Sequence, residues 1–434
     1  MLAGVLAVAA LAGVVAAVLL SSGGDGGGRD SVARGATGSP GTTGASSSTT
    51  SGSSTSTPST TTAAGGTRSV IVLPRSRSKK RSFLVGTVDD SLVQVSPRFA
   101  RAQMDASRAA GFDAAAVTAT WHRGETAPPA SLVRVLRNVT RAAAKDDVQV
   151  FVVVWHGLAD ETPRGTAERA QFASYAAAVV RALPQVRHVI VGNEPNLSTF
   201  WTPQFGPRGS DAAARAYADL LARTYDAVKA ARPEVEVLGG ALSPRGSDRP
   251  AGERPTHSPT TFIHDLGAAY RASGRAKPLM DALALHPYMQ ASRDSPVAAH
   301  PQNTTITIAD YPKLVRLLAG AFPGGARLPV YYTEFGVQTR VPPAKRGFYE
   351  DLASPARTDA VPFATQAAYY RRALELASCQ PTVRGLFVFH TFDEPGVNGW
   401  QSGLYFADRT PKPSLRPFRR AVDDLRAGRF PPCR

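Results

Sequence analysis

Residues 148–155 read VQVFVVVW, and residues 188–192 read HVIVG. Both runs are short, rich in β-branched side chains and nearly free of polar interruption. They read as strands buried on both faces, the habit of a parallel sheet. Between them, residues 167–183 follow a helical pattern. Parallel neighbours need a crossover connection, and a helix is the usual one.

The same alternation extends in both directions. Residues 83–87, 114–118, 235–241, 282–286, 329–335 and 385–390 are further strand candidates, which makes eight in all. Ser96-Pro97 supplies an N-cap followed by proline at the first helical position, and Gly111 is placed to stop that helix. Residues 131–145 carry Leu132, Val135, Leu136 and Val139 at helical spacing. Residues 211–231 and 362–377 repeat the pattern, and residues 413–425 close the series, where they are expected to cover the end of the barrel. Eight strand–helix repeats, roughly 30 to 55 residues apart, predict an α/β chain folded as a (β/α)8 TIM barrel. A doubly wound open sheet would normally show a glycine-rich turn after its first strand, and residues 85–90, VGTVDD, hold one glycine.

In such a barrel, function sits where the strands end. Strand two ends in Thr120-Trp121-His122, strand three in Trp155-His156, and strand four in Asn193-Glu194-Pro195-Asn196. Strand five leads to Ser243-Pro244-Arg245. Strand six ends in His286-Pro287-Tyr288, strand seven in Thr333-Glu334-Phe335-Gly336, and strand eight in His390-Thr391-Phe392-Asp393-Glu394. A carboxylate at the end of an apolar strand is costly unless it is paired or used. Glu194 and Glu334, facing each other across a barrel mouth, suit glycoside hydrolysis. One carboxyl group, its pKa raised, protonates the leaving oxygen while the other attacks the anomeric carbon.

Residues 191–196, VGNEPN, and residues 331–336, YYTEFG, roughly 140 positions apart, resemble the strand-four and strand-seven motifs of the retaining (β/α)8 glycoside hydrolases of clan A. That clan includes cellulase-like family 5 and xylosidase-like family 39 enzymes, and the resemblance spans residues 83–425. It implies Glu194 as acid/base, Glu334 as nucleophile, and Asn193 as a hydrogen-bond donor to a sugar 2-hydroxyl. His286-Pro287-Tyr288 resembles the strand-six segment, whose tyrosine often steadies the nucleophile. Residues 403–413 resemble the segment joining strand eight to the last helix. Two positions depart from the pattern. His390 stands near the place of a common strand-eight tryptophan, and strand two lacks the arginine usual in family 5, with Arg123 beyond its end.

Trp121, Trp155, His156, His390 and Trp400 are further candidates for stacking on a sugar or binding its hydroxyls, and His286 and Tyr288 join them. Trp201, Asp393 and Glu394 lie in the same loops. Aromatics at these positions can equally plug the barrel top. No His-x-His pair, Cys-x-x-Cys pair or cofactor fingerprint is present, so neither metal nor cofactor is expected.

The flanking sequence sets the expected compartment. Residues 1–20 are nearly all Ala, Val, Leu and Gly, long enough for a signal peptide or an uncleaved membrane anchor. Residues 21–81 form a Ser/Thr/Gly-rich linker, expected to be disordered, that ends in a basic run at residues 75–81. Residues 82–434 are then an exported or envelope-held catalytic domain. The net charge of +16 comes from arginines scattered through helical segments rather than from basic runs among aromatics. That argues against nucleic acid and leaves a basic surface or an acidic partner. Cys379 and Cys433 read either as buried thiols or, outside the cytoplasm, as a disulfide. The expected partner is an oligo- or polysaccharide, with the membrane a second one if residues 1–20 are kept, and the chain is expected to act as a monomer. A non-catalytic carbohydrate-binding or scaffold protein is the rival reading, and a transglycosylase would use the same residues.

Overall fold

The computed structural model describes residues 83–89, 96–354 and 357–433. The expectations for residues 1–20 and for the linker lie outside these residues. Among the described residues no helix is long and apolar enough to cross a membrane.

Eight parallel strands close on themselves in chain order. They are β1 (Leu84–Val88), β2 (Ala114–Thr120), β3 (Gln149–Trp155), β4 (His188–Val191), β5 (Glu236–Leu242), β6 (Ala282–Leu285), β7 (Val330–Phe335) and β8 (Val383–Phe389). Closure is made by β1 against β8, with Leu84 opposite Gly385 and Val88 opposite Phe389. Eight principal helices follow: α1 (Pro97–Ala110), α2 (Ala130–Lys145), α3 (Thr166–Ala182), α4 (Ala212–Ala231), α5 (Pro259–Ala272), α6 (Tyr311–Ala321), α7 (Phe363–Ser378) and α8 (Leu415–Arg426). Ser96 caps α1 by accepting from the Phe99 amide, and Gly111 ends it at φ 105°, a value that glycine reaches without penalty.

Two sets of strand residues form two cores. Ala115, Val117 and Ala119 of β2, with Val150, Val152 and Val154 of β3, face outward and pack on the helices. Ala114, Ala116, Phe151, Ile190, Leu238, Ala284, Tyr331 and Phe387 face the lumen. The bottom of the lumen is filled by rings. Phe151 stacks on His188 with centroids 4.0 Å apart and meets Phe387 edge-on at 4.9 Å. Alanines and Thr118 line its upper part, which stays open as a pocket beneath the mouth.

The structure adds two helices and corrects one expectation. Beyond the helices legible in the sequence stand α5 and α6, and Ser258-Pro259 opens α5 with the same cap-and-proline device as α1. Residues 413–425 do not cover the end of the barrel. Helix α8 packs on its side between α1 and α7, with Phe418 against Phe112 at 5.5 Å and Tyr370 at 5.7 Å. Cys379, just after α7, is disulfide-bonded to Cys433.

Candidate active site

The parallel barrel brings the ends of all its strands to one face, and Glu194 stands there just beyond β4. Its φ is 39°, a left-handed backbone that costs a non-glycine residue ~1–3 kcal/mol and needs its surroundings to hold it. Those surroundings are visible. The Glu194 amide donates to Ala241 O at 2.9 Å. Ala241 is itself at φ 46° and follows Gly240 at φ 94°, where the register of β5 against β6 shifts. Asn196 ties the two loops together, accepting from the Ser243 amide at 3.0 Å and donating to His257 O at 3.0 Å.

Glu334 belongs to β7. The register of that strand against β8 shifts between Tyr332 and Phe335, and such an irregularity re-aims a side chain. Thr333 and Glu334 both line the pocket as a result. His286 and Tyr288 follow β6 and join the two carboxyl groups. His286 Nδ1 lies 3.0 Å from Glu194 Oε1 and 3.3 Å from Glu334 Oε2. The Tyr288 hydroxyl donates to Glu334 Oε2 at 2.9 Å. One oxygen of each glutamate and one nitrogen of His286 all lie within 4.8 Å of one another.

The environments of these groups differ. Burial pushes Glu194 up to about 8, with the Arg245 guanidinium pulling the other way. Burial also lowers His286, opposed by the charge of Glu334, so this imidazole is neutral at ordinary pH. Tyr288 is held well above its usual value by burial and by the charge of Glu334, so it keeps its proton to donate. The arrangement therefore favours one protonated carboxyl group beside one carboxylate that is already receiving a hydrogen bond.

Several polar atoms around the pocket await partners. Trp155 Nε1, Thr333 Oγ1, Trp400 Nε1 and Glu194 Oε2 are buried and make no hydrogen bond among the described residues. Buried donors and acceptors are costly to leave unmet, so a ligand or water rich in hydroxyls is what they fit. Asn193 and Trp155 line the same pocket. Trp400 closes its rim, with its ring 5.2 Å from Tyr288 and 5.3 Å from Phe389. The His390 ring lies against Phe389, with centroids 3.7 Å apart and planes tilted by 32°, and burial alone lowers it to about 3.

Other candidates lie elsewhere. Trp121 shares the outward face of β2, where its ring meets Phe172 at 5.6 Å and its Nε1 donates to Glu125 O at 2.8 Å. It is part of the helix-side core and does not line the pocket. His156 turns toward Trp201, with ring centroids 5.5 Å apart, and has its Nδ1 3.3 Å from Leu158 O. Burial lowers it to about 4, and it too stands outside the pocket lining. Trp201 is wedged against Tyr217 at 5.8 Å. Asp393 is paired with the buried Lys412 at 2.6 Å and accepts from Tyr349 at 2.7 Å, which locks the last loop to the barrel. Glu394 accepts from the Trp400 amide at 2.9 Å and so holds that tryptophan in place. Arg123 is held by Glu168 at 3.0 Å and by Asp160 O at 2.8 Å, so it does not replace a strand-two arginine. The sequence named Arg245 only as the residue to which strand five leads. Its place after that strand was the available signal.

No protein-family model matches the chain, and no curated protein matches its sequence. Solved structures do. A GH5_18 variant from Streptomyces cattleya in complex with Manβ1-4GlcNAc is similar over 81% of this chain and 82% of its own, with TM-score 0.54 and 18% identity. The β-glycosidase BGL167 is similar over 81% of this chain and 98% of its own, with TM-score 0.51 and 17% identity. An exo-β-1,4-mannosidase from Opitutaceae bacterium strain TAV5 is similar over 80% of this chain and 59% of its own, with TM-score 0.50 and 16% identity. At such identities the likeness is one of fold: the chain shares the (β/α)8 barrel of these proteins.

Proposed function

We propose that this barrel is a retaining glycoside hydrolase that cleaves β-linked sugars in an extracellular or cell-envelope glycan. The observation that carries the reading is the pairing of Glu194 and Glu334. The first is buried and raised to about 8, and the second accepts a hydrogen bond from Tyr288. Their nearest oxygens lie within 4.8 Å, the spacing of a nucleophile and an acid rather than of two groups with a water between them. Glu334 attacks the anomeric carbon while Glu194 gives its proton to the departing oxygen. A covalent glycosyl–enzyme forms at Glu334. Water then attacks it, and Glu194 takes the water's proton, so the configuration is retained over two displacements. His286, neutral, is hydrogen-bonded to Glu194 at 3.0 Å and lies 3.3 Å from Glu334, which sets its ring between the two carboxyl groups. Trp155, Asn193 and Trp400 offer hydroxyl partners and an aromatic wall to the sugar. The apolar residues 1–20 and the Ser/Thr/Gly-rich residues 21–81 support export, and the similar folds include a β-glycosidase and an exo-β-1,4-mannosidase.

The test is hydrolysis of an array of aryl β-glycosides and polysaccharides by the full chain beside Glu334→Gln. The variant is expected to stay folded and lose turnover. The sugar released first is expected to keep its anomeric configuration by NMR. Glu194→Ala is expected to slow substrates with poor leaving groups by ~10²–10⁴-fold and activated ones far less. Inversion at the anomeric carbon, or full activity in Glu334→Gln, would refute the assignment. The same three side chains also offer ligand atoms close enough for a metal ion, and turnover that vanishes with a chelator and returns with zinc would favour a metal-activated water instead.

A further inference from the structure

Resting on that reading, the structure points to an anionic sugar on the leaving-group side of the site, and we infer that Arg245 is its receptor. Arg245 follows β5 and is only half exposed. Its carbonyl accepts from Asn196 Nδ2 at 3.4 Å, two residues beyond the acid/base. Its guanidinium donates through Nη1 to Met289 O at 2.9 Å, one residue beyond Tyr288. The cation is thus fixed between the loop of the acid and the loop of the tyrosine that supports the nucleophile. Burial lowers its pKa, and the acidic groups that act electrostatically against this are Glu194 and Asp294. Neither stands within ion-pair distance, and Asp294 is occupied in accepting from the Ala291 amide at 2.8 Å.

Among the described residues, several recessed arginines have a carboxylate, whereas Arg346 and Arg384, like Arg245, donate to a backbone carbonyl, of Leu352 at 3.0 Å and of Pro381 at 2.9 Å. Arg232 has Glu234 at 2.7 Å, Arg275 has Asp226 at 2.8 Å, and Arg357, near Trp400, has Asp359 at 3.1 Å. Arg245 has one backbone carbonyl, and its Nε and Nη2 remain available as parallel donors. A guanidinium is built for bidentate recognition of a carboxylate or a sulfate. Its side of the site decides which sugar carries the charge. Glu194 gives its proton to the leaving oxygen, and the Arg245 carbonyl is bonded to Asn196 in the loop that carries Glu194, so the proposal assigns the charge to the departing sugar rather than to the one that becomes attached to Glu334.

The experiment uses disaccharides with the glycone that the array hydrolyses fastest. The reducing-end sugar is offered as the neutral hexose, the uronic acid and the 6-sulfate. The wild type is expected to favour an anionic member by at least about tenfold in kcat/KM, the weight of a charge-assisted hydrogen bond. Preference for the uronate or for the sulfate identifies the anion. Arg245→Gln is expected to erase the preference and Arg245→Lys to restore part of it, whereas a merely structural loss would slow all three members alike. Turnover without charge preference, or equal losses in Arg245→Gln, overturns this inference and leaves the hydrolase reading standing. If the array shows no hydrolysis at all, the hydrolase reading fails, and calorimetric titration with glucose, glucuronate and glucose 6-sulfate decides here. Anion-selective binding lost in Arg245→Gln supports the receptor, and unselective or absent binding overturns it.

Discussion

At the scale of single residues, the proposed mechanism depends on keeping one proton on Glu194. Burial raises that group to about 8 and Arg245 opposes the rise. The first displacement needs Glu194 protonated, so kcat/KM on a neutral aryl glycoside is expected to fall as pH climbs through about 8. Removing the opposing cation lets the pKa rise further. The alkaline limb of Arg245→Gln is therefore expected at higher pH than that of the wild type. A pH–rate profile of both proteins checks this, and a limb that stays or moves down would show that Arg245 does not act on the acid. The two glutamates, Tyr288, His286, Asn193 and Trp155 were legible because chemistry in a barrel gathers at strand ends, and these residues stand there. Trp121 stands at such an end too, yet it faces the helices. Strand two, AAAVTAT, is made of small residues, with its two threonines, Thr118 and Thr120, on one face and Ala115, Val117 and Ala119 on the other, a weak signal of inside and outside. Closure of the barrel decides it.

At the scale of elements, the loop after β5 is the joint on which the acid side of the site turns. Gly246 lies so close to the chain at His257 that a Cβ built on it would sit 2.0 Å from His257 O. The obstacle is backbone and cannot swing aside. Gly246→Ala is expected to destabilise the protein by ~1–3 kcal/mol, read as a lower urea midpoint, and to loosen Asn196 and Arg245 together. An unchanged midpoint would mean that the loop shifts freely. The eight strands were readable from apolar runs, and six of the helices from periodicity and caps. Helix α6 is only 11 residues long and follows a long loop after β6, which hid its pattern. The position of α8 was hidden for another reason. Its strongly one-sided face says that it packs on something, but whether that is the end or the wall of the barrel depends on a neighbour distant in sequence, Phe112.

At the scale of the whole molecule, the disulfide Cys379–Cys433 closes a loop with a sequence separation of 54. The sequence left these cysteines open between free thiols and a bridge, since proximity across that distance is a property of the fold alone. Loop-closure entropy assigns such a bridge up to about 4 kcal/mol. Cys433→Ser is expected to lower thermal stability while leaving turnover at room temperature intact, because α7 runs back from the mouth and ends where β8 begins. A variant equally stable would show that the tail adds nothing to the barrel.

The open upper lumen, where rings give way to Ala116, Thr118 and Ala241, has a thermodynamic consequence. These small side chains stand among Val88, Val153, Trp155 and Phe389, so on the proposed function a bound saccharide takes over part of the packing. Ala116→Val should trade one quality for the other, raising the melting temperature while depressing turnover, as when a fold recovers cohesion it had given up for a site. On the proposed function the substrate is then a removable piece of the core, and a bound saccharide is expected to raise the melting temperature of the barrel.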